Sequence, residues 1–158
     1  MKKFFLGAVF IAMLNLASAQ KNTGVNWLSA EELEQSYYRE PKAILIFLTT
    51  SWCKICKMQK NTTFANDSVI RWMNKTVYAF KLDAESKDSL SFFNRIYTFN
   101  TAEKFHDLAL YFGKNNKQIV FPSTVLLDNK LQIWFRKTAL INSTEMIEIL
   151  KVVETGKN

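Results

Sequence analysis

The residues best equipped for chemistry are two thiols, Cys53 and Cys56, the only cysteines of a 158-residue chain, set in Trp52-Cys53-Lys54-Ile55-Cys56. This spacing puts both in one helical turn, where a disulfide closes with little backbone change. With a helix beginning near Cys53, that thiol is expected to be exposed at the helix N-terminus. Unpaired N–H groups and the helix dipole favour a thiolate there. Lys54 and Lys57 add positive potential beside it. A thiolate attacks a disulfide, and a second thiol held close resolves the mixed disulfide that results.

Other uses of the pair compete. A structural staple across so short a loop contributes only about 2 kcal/mol, against roughly 4–5 kcal/mol for a 100-residue loop. Haem attachment needs His directly after the second cysteine, and Lys57 stands there. Copper binding by two thiolates at a strand–helix junction is feasible chemistry, although Met58 and Met73 form no evident supporting ligand set. The residues favour a redox dithiol and leave the staple and the copper-binding dithiol open.

The remaining inventory excludes several classes. The 4 glycines, Gly7, Gly24, Gly113 and Gly156, are too scattered for a phosphate loop or a dinucleotide fingerprint. One histidine and two cysteines cannot fill a four-ligand zinc site unaided. His106, the only imidazole, reads as a surface or capping residue on a helix rather than an acid–base group. Residues 1–19 read as a secretory signal peptide: Lys2 and Lys3, then the apolar run Phe4–Leu14, then Ala17-Ser18-Ala19 as a small-x-small cleavage site. Residues 20–158 then form one domain in an oxidising compartment, with no membrane insertion once the signal is removed. Removing the two signal lysines lowers the net charge from +7 to +5 (7 − 2), a mildly basic balance that favours acidic partners and gives no case for nucleic acid.

The elements that must position the thiols follow from local pattern. Residues 20–28 read as a loose lead-in. Ser29 and Glu32 make a capping box for a helix to Arg39, which Pro41 stops. Ala43–Leu48 is a short continuous apolar run, read as a strand buried on both faces. The dithiol helix follows it, with Lys54, Lys57 and Lys60 marking a solvated face among Ile55, Met58 and Gln59. Asn66 caps a further helix, Val77–Asp83 is a second strand, and residues 84–100 hold an extra strand or hairpin around Asn94-Arg95. Core packing accounts for Phe92, Phe93, Tyr97 and Phe99. Thr101 is expected to cap a helix over 102–114. Ser123–Leu127 and Leu131–Lys137 form a hairpin across Asp128-Asn129-Lys130, and Asn142 caps a last helix to about Val153. The Asn-x-Ser/Thr triplets at Asn66 and Asn142 are thus explained as helix caps, and those at Asn61 and Asn74 carry no glycosylation inference.

The Trp-Cys-x-x-Cys at the end of a buried strand resembles the thioredoxin superfamily, and Phe121-Pro122-Ser123-Thr124 is similar to its second signature. The order of elements matches over most of 27–153. Lys57 and Thr63-Phe64 resemble the exported bacterial members. The resemblance implies an α/β, thioredoxin-like three-layer sandwich, with a mixed central sheet and helices on both faces. It implies Cys53 as the nucleophile, Cys56 as the more buried resolving cysteine, and Trp52 packed beside them. Pro122 would be cis, holding its loop against the dithiol and denying access to metal, while the Phe121 backbone pairs with an extended substrate. It further implies a periplasmic thiol–disulfide oxidoreductase for protein thiols and disulfides, of reductase or isomerase type, fed by a membrane electron donor and needing no cofactor. A non-catalytic binding module with a closed disulfide is the alternative. Two departures stand out, at Phe47 and at the central dipeptide Lys54-Ile55, where thioredoxin has Gly-Pro, a pair that helps set redox potential. Phe47 occupies the position where many relatives carry a buried acid, so Lys57 or water must take the proton of Cys56. Segment 84–118 is longer than the minimal fold requires.

Overall fold

The computed structural model describes residues 24–115 and 118–156. The signal-peptide reading of residues 1–19 lies outside them, as does the start of the lead-in. Trp27–Leu28 forms a short strand, β1, where a loose segment was expected. It pairs in parallel with the strand Tyr78–Asp83, Trp27 opposite Ala79 and Leu28 opposite Phe80. Two residues are too few to show a period, so only the tertiary contacts reveal the strand. The Trp27 ring stands edge-on to Phe64 at 5.1 Å, and the Asn74 side chain accepts from Asn26 N–H and donates to the Gly24 carbonyl.

Helix α1 (Ala30–Arg39) starts at the expected capping box: Ser29 Oγ accepts from Glu32 N–H, and the Glu32 carboxylate accepts from Ser29 N–H. Strand β2 (Ile44–Thr49) is buried throughout. Helix α2 (Lys54–Thr62) and helix α3 (Asp67–Thr76) carry the chain across to β3 (Tyr78–Asp83), which lies parallel to β2. Asn66 Oδ1 caps α3 by accepting from Ser68 and Val69 N–H.

The segment after β3 forms two small hairpins. Strands β4 (Leu90–Phe92) and β5 (Arg95–Tyr97) pair around Phe93 and Asn94, both at positive φ, so the turn falls one residue before the expected Asn94-Arg95. Strands β6 (Phe99–Asn100) and β7 (Phe105–His106) pair next. They displace the first turn and a half of the helix expected from residue 102. The helix there, α4, spans only Asp107–Gly113. The reason is local: the Asn100 side chain accepts from Ala102 and Glu103 N–H, and Lys104 turns back at φ 63°. His106, not Thr101, caps α4. Gly113 ends α4 against Leu48 and Ile119, where a Cβ would come within 2.7 Å of Leu48 Cδ1.

Strands β8 (Lys114–Asn115) and β9 (Gln118–Ile119) lead to β10 (Ser123–Leu127), which runs antiparallel to β2. Strand β11 (Ile133–Lys137) returns antiparallel to β10, and helix α5 (Ser143–Glu154) closes the fold from its Asn142 cap. The main sheet is mixed, in the order β1-β3-β2-β10-β11.

Side-chain alternation along the central strands divides the core between two faces. Ile44, Ile46 and Leu48 face Leu33 of α1 and Leu108 and Phe112 of α4. Leu45 and Phe47 face Cys56 of α2, Met73 of α3 and Met146 and Leu150 of α5. Helices therefore cover both faces of the sheet, in the expected three layers. Of the aromatics of the inserted segment, Phe92, Phe93 and Tyr97 join the core as expected, with Phe92 against Phe80, Phe93 and Phe112 and Phe93 against Tyr37, whereas Phe99 lies outside both core clusters.

Candidate functional site

The site forms where β2 runs out. Its last residue, Thr49, pairs with Asp83, and the chain turns through Thr50-Ser51-Trp52 into α2. Cys53 is the N-cap of α2 and is disulfide-bonded to Cys56, with Cα atoms 5.2 Å apart. Cys53 Sγ accepts a hydrogen bond from Cys56 N–H at 3.0 Å. Sulfur thus takes the place that a Ser or Asp oxygen takes in other caps, receiving one of the free amides of the helix end. The expected exposure of Cys53 is corrected: the residue is only 4% exposed and Cys56 is fully buried. Both side chains lie in the apolar cluster under α2, which also contains Phe64 and touches Phe121.

The facing wall comes from the loop before β10. The Phe121–Pro122 peptide is cis, and Pro122 is buried. Ser123 pairs with Leu48, so Pro122 lies beside the residues that leave β2 for the dithiol. Ser123 Oγ donates to the Val120 carbonyl at 2.6 Å and holds the loop closed on itself. The Phe121 ring stands edge-on to Trp52 at 6.1 Å and meets Phe105 of β7 at 5.5 Å. Structure thus brings together Trp52, Cys53, Cys56, Phe121 and Pro122, and ties them through Phe105 to the inserted hairpins. Trp52 itself is 60% exposed.

Charge on the dithiol helix is one-sided. Helix α2 has no acidic residue in its first turn, and Lys54 and Lys57 are exposed. Among the described residues neither is in an ion pair. Phe47, which stands in place of the acid of many relatives, is fully buried, with Phe64 edge-on at 5.0 Å and Trp27 tilted at 6.2 Å.

Sequence reasoning missed two buried polar residues. Gln59, fully buried on the same helix face as Cys56, donates through Nε2 to Thr124 Oγ1 and accepts from Ile141 N–H. Thr63 Oγ1 donates to the Ile141 carbonyl. The signal was present, since 56, 59 and 63 recur at helical spacing. Its corollary is that Ile55 and Met58, apolar but on the other side, are exposed at 44% and 51%. His106 lies apart from the dithiol and is buried, correcting the surface reading while keeping the capping one. Its Nδ1 accepts from Leu108 N–H at 3.2 Å and its Nε2 lies 3.1 Å from the Asp88 carbonyl, a network that assigns the neutral tautomer protonated at Nε2. Among the described residues no cluster of three or more His, Cys, Asp or Glu is placed to hold a metal, and no helix is long and apolar enough to cross a membrane.

Comparison with known proteins gives this arrangement a context. The family model Thioredox_DsbH, described as protein of unknown function, DUF255, matches residues 15–155. No curated protein matches in sequence. Among solved structures, the fold is similar to a DsbH oxidoreductase, with TM-score 0.59 and 16% identity over 89% of this chain and 93% of that one. It is similar to a thioredoxin from Thermus thermophilus, with TM-score 0.60 and 12% identity over 82% of this chain and 87% of that one. A disulphide isomerase from Xylella fastidiosa Temecula1 gives TM-score 0.54 and 13% identity over 78% and 87%. At these identities the likeness establishes a thioredoxin-type fold.

Proposed function

The chain belongs to the Thioredox_DsbH family, and from that premise we propose that it is a thiol–disulfide oxidoreductase acting on protein disulfides through Cys53 and Cys56. The observation that carries the proposal is the Cys53–Cys56 disulfide at the N-terminus of α2, opposite the cis Phe121–Pro122 loop. In the reduced protein, the Cys53 thiolate attacks one sulfur of a substrate disulfide. A Cys53–substrate disulfide forms and one substrate thiolate leaves. Cys56 then attacks Cys53 Sγ, closes the disulfide seen here, and releases the second substrate thiolate. Two electrons pass to the substrate, whose two thiolates take up protons from solvent.

The chain's own groups favour this course. The Cys56 amide already donates to Cys53 Sγ, and the same bond would hold a thiolate. Lys54 and Lys57 add positive potential to the α2 N-terminus. With Phe47 in the strand and no carboxylate in its place, the proton of Cys56 passes to water. The Phe121 backbone, beside the dithiol, is the pairing edge for an extended substrate, and Trp52 packs against that segment. The protein works after export to the periplasm, cleared of residues 1–19, and is re-reduced by a membrane electron donor.

A non-catalytic reading, with the disulfide permanently closed, draws on the small exposure of Cys53. Reduction of an unfolded protein disulfide by the pre-reduced chain separates the two. The oxidoreductase transfers one electron pair per dithiol and Cys53→Ser transfers none. A potential well below about −300 mV in glutathione buffer, together with no transfer, is the outcome of the closed-disulfide reading.

A further inference from the structure

Helix α2 and its C-cap bury Cys56, Gln59 and Thr63, half-bury Lys60 and leave Lys54, Ile55, Lys57 and Met58 exposed on the outer surface. At about 100° per residue, Ile55 and Met58 fall on one flank of that surface, Lys57 and Lys60 on the other, and Lys54 on the crest between. Trp52, in the turn before α2 and against Phe121, and Val120, next to Phe121, are also apolar and exposed, at 60% and 46%. The charged side is unopposed along the chain: from Pro41 to Asn66 there is no carboxylate, while Lys42, Lys54, Lys57 and Lys60 all occur. Asp83, the last residue of β3 and the partner of Thr49, and Glu85 and Asp88 just after it bring carboxylates to this end of the sheet from a different element. Among the described residues they make no ion pair with the α2 lysines.

Exposed Trp, Ile and Met around a reactive disulfide are an unfavourable surface for a protein that meets only water. Trp contributes large area at low entropy cost, and Met adapts to varied shapes. Lysines along the rim attract carboxylates over a Debye length and fix orientation. We propose that α2 and the Trp52 turn form a docking face for a protein segment that carries acidic and apolar residues beside its cysteine. Its apolar side chains rest on Trp52, Ile55 and Met58, and its carboxylates face Lys54, Lys57 and Lys60. The inference rests on the oxidoreductase reading and adds the class of partner. A protein segment fits better than an anionic lipid surface, because the patch is centred on a disulfide whose counterpart is another sulfur.

The test uses cysteine peptides of equal length as mixed disulfides with thionitrobenzoate. The flanks carry Glu and Leu, Lys and Leu, Ser and Leu, or Glu and Ser. The reduced protein attacks the peptide sulfur through Cys53, forming the Cys53–peptide disulfide and releasing coloured thionitrobenzoate. The Glu/Leu peptide is expected to react about tenfold faster than the Lys/Leu peptide at about 20 mM salt, converging toward equal rates at about 500 mM. The triple variant Lys54→Glu, Lys57→Glu, Lys60→Glu is expected to reverse that ratio. Comparing two peptides on one protein cancels any change in intrinsic thiol reactivity. Met58→Ser is expected to slow the Leu-bearing peptides and not the Glu/Ser peptide. Equal rates for all peptides, or a ratio unchanged in the triple variant, overturn the docking face and leave the oxidoreductase intact. Release no faster than with Cys53→Ser overturns both. A peptide ratio of one, with lysine-dependent binding to phosphatidylglycerol vesicles, overturns the docking face in favour of a lipid surface.

Discussion

Phe47 lies on the face of β2 that looks toward the dithiol, in the position where many of the proteins it resembles carry a buried acid. Its ring meets Phe64 edge-on and Trp27 at a tilt, so aromatic packing fills the place where many relatives carry an acid. Phe47→Ala is expected to cost about 3–5 kcal/mol in denaturant unfolding, and a double-mutant cycle with Phe64 should recover a coupling of about 0.5–1.5 kcal/mol. His106 is the opposite case, a reactive side chain put to structural use. Both ring nitrogens are engaged, one capping α4 and one against the Asp88 carbonyl. His106→Ala is expected to destabilise by about 1–3 kcal/mol and to speed hydrogen exchange at the Leu108 amide. His106→Asn, which can still cap, is expected to restore much of that protection. Both the fold and the site turn on such single positions, and only part of them was legible. The Trp-Cys-x-x-Cys and the Phe-Pro step stand out because their residue types are rare and fixed in spacing. The burial of His106 and Cys53 depends on contacts between distant segments that no local pattern encodes.

At the scale of elements, α2 carries the dithiol and is held by polar contacts as well as by the apolar cluster beneath it. Gln59 reaches Thr124 on β10 and the Ile141 amide, and Thr63 reaches the Ile141 carbonyl. Since Thr124 follows closely on the cis Pro122, these bonds span the two walls of the site. Gln59→Leu, which leaves the buried Ile141 N–H without its acceptor, is expected to lower stability by about 1–3 kcal/mol by denaturant titration. Caps were the most readable elements: Ser29, Asn66 and Asn142 each start the helix that their pattern announces. The expected helix from residue 102 failed because Asn100 and Lys104 turn the backbone into a hairpin first. Short paired strands such as β6 and β7 have no period of their own and exist through their partners.

For the whole molecule, the sheet separates two cores that meet at Phe121, which packs against both. The inserted hairpins load one face, and the dithiol helix the other. Tyr78 marks the opposite end of the central strands, where its hydroxyl donates to the Ser36 and Glu40 carbonyls. Burial first, then the Glu40 charge, pushes its phenol above the ordinary value near 10.0. Because the folded value is raised, that contribution to stability is full below about pH 10 and is lost as pH climbs through the folded value. Tyr78→Phe is expected to flatten that alkaline loss in pH-dependent unfolding. The central claim, however, concerns sulfur, and covalent trapping tests it most directly. In the compartment where the protein works, Cys56→Ser is expected to accumulate disulfides between Cys53 and the cysteines of other proteins, identified by mass spectrometry and absent from the Cys53→Ser, Cys56→Ser double variant. A trap that captures no protein, from a variant that folds and accumulates normally, would contradict the account.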